Sequence, residues 1–133
     1  MPASTSPIFP NVPIRGIASL VSNTAVTSRA VITGTAGLTQ LTATSTNGTR
    51  VDAIEVVAQG NSVATNQCIW IYNGTNSYLY DEIAISAVTA NTTVAATANT
   101  ITYTMLTIPP TYQLFTSQTV SSNVTVYAFG GEY

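Results

Sequence analysis

The chain has 133 residues, of which 45% are hydrophobic, and a formal net charge of −2. It contains no His and no Lys, one cysteine at Cys68, three arginines and five carboxylates. That inventory excludes Ser–His, Cys–His and Lys-activated serine nucleophiles, and a single cysteine excludes an internal disulfide framework.

A chain of this length fits one domain and buries roughly two thirds of the surface its unfolded form exposes. Leu is scarce while Thr, Val, Ala and Ile dominate, and β-branched side chains fit a pleated sheet better than a helix, so the class is all-β. Arg15, Arg29 and Arg50 stand at least fourteen positions apart, which gives phosphates no basic cluster; nucleic acid is not expected as a partner. A near-neutral surface of Thr, Ser, Asn and Gln has little colloidal repulsion and favours assembly. The N-terminus lacks the basic and apolar regions of a signal peptide, and no stretch approaches the roughly 20 apolar residues that span a bilayer. Synthesis in a cytoplasm and no membrane partner are therefore expected. The sequons at Asn47, Asn73, Asn91 and Asn123 then follow from abundant Asn and Thr, because glycosylation requires secretion.

Residues 1–16 read as an extended N-terminal arm and residues 17–133 as a β-sandwich domain. Pro2, Pro7, Pro10 and Pro13 recur every few positions, which forbids a helix and breaks strand pairing. Between them stand Ile8, Phe9, Val12 and Ile14, which a solvated linker has no reason to carry; these four are the candidate protein-interface residues. An extended arm of this length reaches about 50 Å, far enough to cross onto a neighbouring subunit. Packing along its own domain is the alternative.

From about Ala18 the pattern is strand after strand. Thr24–Thr33 is β-branched and ends at Gly34 and Gly37, and Leu38–Thr44 alternates. Asn47-Gly48 supplies a turn. In Arg50–Ala58, strict alternation puts Val51, Ala53, Glu55 and Val57 on one face and Asp52, Ile54, Val56 and Ala58 on the other. The clearest hairpin is Gln67–Ile85, looped at Asn73-Gly74-Thr75-Asn76. Its Ile69 and Ile71 form an aliphatic face, and Trp70, Tyr72, Tyr78 and Tyr80 an aromatic one. Those rings suit a sugar-stacking platform, a protein contact or plain cross-strand packing; Tyr72, Tyr78 and Tyr80 are the candidate surface-contact residues. Thr93–Met105 is a long strand, Pro109-Pro110 a corner leading to a strand from Tyr112, and Asn123–Phe129 the last strand. About eight antiparallel strands joined by short loops predict a two-sheet, jelly-roll-like sandwich.

The catalytic candidates are carboxylates alone. Asp81 and Glu82 are strand neighbours and point to opposite faces, and the odd spacing of Asp52 and Glu55 implies the same. A glycosidase pair would need two carboxylates flanking one cleft, for instance Glu55 with Asp81. No motif supports a zinc site, or a calcium site at Asp81 and Glu82. No catalytic, cofactor or metal residues are therefore assigned. Cys68, in the apolar run Cys68-Ile69-Trp70-Ile71, reads as an inert core thiol, with a reactive or metal-binding thiol as the alternative.

Five segments in order carry a family resemblance: Val51-Asp52-Ala53-Ile54-Glu55-Val56, Ile69-Trp70-Ile71-Tyr72-Asn73-Gly74-Thr75, Tyr80-Asp81-Glu82-Ile83, Leu106 to Leu114 through Pro109-Pro110, and Val124 to Tyr133. In pattern and spacing residues 24–133 resemble small virion proteins of tailed bacteriophages, the head decoration or cement proteins with jelly-roll-like folds. The arm lies outside the resemblance. It implies a non-enzymatic structural protein on the outer capsid surface, clamping neighbouring major capsid protein subunits, self-associated as a homodimer or homotrimer, and located in the virion after synthesis in the host bacterial cytoplasm. The rival reading is a tail-associated or receptor-binding β-sandwich that contacts a host surface glycan.

Overall fold

The computed structural model describes residues 12–133. Within them the chain forms strands and no helix: β1 Val12–Leu20, β2 Ile32–Thr33, β3 Thr39–Gln40, β4 Thr49–Ala58, β5 Thr65–Tyr72, β6 Asn76–Ile85, β7 Ala98–Ile108, β8 Gln113–Gln118 and β9 Val124–Glu132. A four-stranded sheet ordered β1-β9-β4-β7 faces a five-stranded sheet ordered β2-β6-β5-β8-β3, and every pairing is antiparallel. With the short β2 set aside, successive strands cross from one sheet to the other except at the β5–β6 hairpin. That winding is the double Greek key of a jelly roll, so the all-β, antiparallel, jelly-roll-like sandwich expected from the sequence is the fold.

The core lies between the sheets. Ala18 and Leu20 of β1, Val51, Ile54 and Val56 of β4, and Val124, Val126 and Ala128 of β9 meet Ile69, Ile83, Ile85 and Leu114 of the opposite sheet. Fully burying each large side chain contributes about 1.5–3 kcal/mol, which is why these alternating residues set the register. The hairpin loop closes on Asn73, whose Oδ1 accepts from the backbone N–H groups of Thr75 and Asn76 at 2.9 and 2.8 Å. Gly74 takes a positive φ of 94° there, which glycine adopts without Cβ strain.

Two β-bulges revise the expected faces. In β4 the register shifts between Val51 and Ala53, so Val51 points inward together with Ile54 and Val56, all fully buried. The extra residue, Asp52, therefore lies on the outer side with Glu55, and parity counting fails across it. In the β5–β6 hairpin Ile69 opposes Asp81 while Trp70 opposes Leu79, which leaves Tyr80 as the extra residue.

The segment between β1 and β4 is mostly irregular, although its sequence predicts two full strands. It crosses the outer face of the five-stranded sheet and pairs only at β2 and β3. Its backbone is held by Val26 N–H to the Gln118 carbonyl at 2.8 Å and Gly34 N–H to the Thr75 carbonyl at 2.7 Å. Val26, Ile32 and Leu38 pack there on a second cluster of Cys68, Trp70 and Phe115, so burial against a finished sheet, not strand pairing, uses their apolar side chains. Just before that segment, β1 runs continuously across the expected arm boundary at residues 16 and 17, with Val12 opposite Glu132 and Gly16 opposite Ala128.

Candidate functional site

The two outer faces of the sandwich differ. That of the five-stranded sheet is closed by the crossing segment, which buries Trp70 completely. Below it, Cys68 is sealed at 2% exposure, with its Sγ 3.7 Å from Glu82 Oε1. Arg29 Nε in turn bonds Glu82 Oε1 at 3.0 Å. Burial, reinforced by the Glu82 carboxylate, pushes the Cys68 thiol up to about 11, which keeps it protonated and weakly nucleophilic at neutral pH.

The outer face of the four-stranded sheet is open. The registers place Arg15, Phe129, Ala53 and Thr102 in one row across β1, β9, β4 and β7, and Ile17, Tyr127, Glu55 and Thr100 in the next. Ser19, Thr125, Val57 and Ala98 form a third, where Gln59 Nε2 bonds both Ser19 Oγ and Thr125 Oγ1. Tyr127 and Phe129 stack nearly parallel, with ring centroids 6.2 Å apart. The Arg15 guanidinium carbon stands 5.7 Å from the Tyr127 ring centre, a cation–π contact. Ile17 beside them is 55% exposed, and Glu55 accepts from the Thr100 hydroxyl at 3.2 Å. This face presents an aromatic and aliphatic centre with one cation and one carboxylate, a composition suited to a protein contact. Sequence reading passed over Tyr127 and Phe129, although the alternation of Val124, Val126 and Ala128 with Thr125, Tyr127 and Phe129 was a signal for them.

The residues singled out from the sequence are not brought together. Ile8 and Phe9 lie outside the described residues. Val12 and Ile14 line an open cleft of about 310 Å³ between β1 and the Leu41–Ala43 loop, bounded also by Glu132. Tyr72 is half-buried; its ring meets Phe115 edge-on at 5.5 Å and its hydroxyl donates to the Gly74 carbonyl at 2.8 Å. Tyr78 and Tyr80 are exposed, but Tyr78 opposes Ile71 and so shares that residue's face, not the face of Trp70. Tyr80 packs instead against Tyr103 of β7, 5.9 Å away. The four rings of the hairpin do not form one platform.

The carboxylates are dispersed as well. Asp81 accepts from the Tyr103 hydroxyl at 2.8 Å, and burial, with Asp81 beside it, raises that phenol's pKa. Glu82 points to the opposite side toward Arg29, and Asp52 pairs with Arg50 at 3.0 Å. Glu55 on the outer face of one sheet and Asp81 at the edge of the other share no cleft. Among the described residues no group of three or more His, Cys, Asp or Glu side chains is placed to hold a metal ion. No protein-family model, curated protein or solved structure matches this chain.

Proposed function

We propose that this chain is a structural virion protein, a decoration or cement protein that binds the outer surface of a bacteriophage head and clamps neighbouring major capsid protein subunits. The observation that carries this reading is the asymmetry of the sandwich: one sheet is closed over by the chain itself, while the other has an open face on which Ile17 is exposed beside the half-buried Tyr127 and Phe129. An uncovered sheet face with an apolar centre, on a chain with only 6% charged residues, favours existence within an assembly. The segment order from Val51 to Tyr133, described above, points to the same class. Jelly rolls recur in viral shells and in lectins, so the fold is compatible with the role without assigning it.

The mechanical logic is simple. A shell under pressure from packaged DNA fails where neighbouring subunits separate, and a clip that buries surface on both raises the cost of separation, multiplied over many copies. Residues 1–16, with Ile8, Phe9, Val12 and Ile14, are assigned the docking contact in this reading. The test is the copy number of the chain in purified virus particles, measured by quantitative mass spectrometry. One copy per shell subunit, or a simple fraction of that, supports a head clamp; absence from the particle overturns it. A few copies per particle move the role to the tail, the reading favoured by the exposed Tyr78 and Tyr80, and glycan-array binding then tests for a host sugar.

A further inference from the structure

We infer that the open face of the four-stranded sheet docks a second copy of this chain, in a face-to-face dimer whose two-fold axis runs along β9. The charges on that face select the partner. Arg29 and Arg50 have carboxylate partners in their own chain, whereas Arg15 makes no ion pair among the described residues. Glu55 likewise makes no ion pair among the described residues and accepts from the Thr100 hydroxyl. Arg15 lies on β1 and Glu55 on β4, flanking β9 on either side, one row apart in register.

A two-fold axis lying between two stacked sheets and parallel to β9 exchanges the β1 side of one copy with the β4 side of the other. It therefore brings each Arg15 over the partner's β4 within a row of Glu55, about 7 Å along the strand, which the flexible Arg side chain spans. The arrangement is isologous, so both ion pairs form at once. An axis perpendicular to the strands would instead stack β1 on β1 and leave both charges unpaired. On the chosen axis the Tyr127–Phe129 stacks of both copies meet at the centre, flanked by Ile17 and Val57, and burying them supplies the attraction.

On this axis three strands of each copy face each other, β1 over β4 and β9 over β9, while each β7 overhangs. Three strands about 4.8 Å apart and about 3.3 Å per residue along nine-residue strands present roughly 430 Å² per copy, or about 860 Å² in total. That is the size of a weak, reversible interface, so the dimer is one that forms and dissociates in the micromolar range. The dimer does not rest on the virion reading, although a dimer with both Val12 residues at one end would suit a clamp.

Sedimentation equilibrium of the full chain across the micromolar range tests the proposal, with far-UV circular dichroism reporting that each variant keeps its fold. The wild type is expected to be a reversible dimer. Arg15→Glu and Glu55→Arg should each weaken it about tenfold or more by placing like charges together, and the double exchange R15E/E55R should restore it. A wild type that stays monomeric overturns the proposal, as does a double variant no tighter than the singles, or an oligomer indifferent to both changes. A chain that dimerises only after residues 2–11 are deleted would assign the face to its own N-terminal segment and also overturn it. Because these measurements use the isolated chain, they can fail or succeed independently of its copy number in particles.

Discussion

Trp70 Nε1 donates a 2.9 Å hydrogen bond to Ser117 Oγ on the adjacent strand, and both residues are buried beneath the segment that crosses the five-stranded sheet. The bond lets a large indole be buried completely without an orphaned N–H.

Replacing Ser117 by Ala removes the acceptor and strands that N–H away from water. A loss of about 1–3 kcal/mol in unfolding free energy is expected. Trp70 is the sole tryptophan, so its fluorescence reports the urea transition directly, and an unchanged midpoint would show that the bond contributes nothing.

Gly130 sits where β9 meets the β4 bulge, and a Cβ there would collide with the Arg50 carbonyl oxygen and press on the Val51 Cα. Gly130→Ala should therefore prevent folding or lower Tm by tens of degrees, since backbone on both strands would have to shift. Gly60→Ala is the control: it meets nothing within 4 Å but holds a φ of +107°, so a modest loss of about 1 kcal/mol from backbone strain is expected. Equal Tm values for the two variants would refute the close-approach explanation.

Alkaline pH should destabilise the fold in two overlapping steps. Cys68 rises from its ordinary 9.0 to about 11 on folding, through burial and the Glu82 carboxylate. The unfolded chain therefore releases this proton first, and stability that is fully present below pH 9 is lost as pH approaches 11, by about 2 kcal/mol. Tyr103, raised by burial and by Asp81, extends the decline above pH 10. Urea unfolding at stepped pH should show a flat region up to about 9 and a fall beyond it, shallower in Cys68→Ala. A Cys68→Ala variant with the wild-type slope would remove Cys68 from the account.

The same burial predicts slow thiol chemistry. A disulfide reagent at pH 8 should label native Cys68 only as fast as the chain opens, and label the urea-unfolded chain at once. Immediate labelling of the native protein would mean that the covering segment does not seal the site.

Much of the fold was legible because alternation of β-branched and polar residues reports a half-buried strand directly. The Gln67–Ile85 hairpin, its Asn73-Gly74 loop and the inward set Ile69 and Ile71 could be read in this way. The extra residues at Asp52 and Tyr80 could not. A bulge is set by how two strands settle against each other, and once present it reverses the face of every residue counted across it. Asp52 thereby moves to the outer side of β4 with Glu55, whereas Tyr78 and Tyr80 leave the Trp70 face through the loop, which pairs Tyr72 with Ser77 and so sets Trp70 opposite Leu79.

The candidate site was less legible. The sequence by itself determined an all-β sandwich poor in charge, because composition and period-two patterning act locally and survive in any arrangement of the strands. Only the tertiary structure decided which sheet is covered. The crossing segment's Val26, Ile32 and Leu38 find their partners on β5 and β8, far away in sequence, and the strand order puts Arg15 and Glu55 on either side of β9. Those relationships depend on packing and pairing between segments from tens of residues to more than a hundred apart, and such contacts have no signature in any short window of the chain.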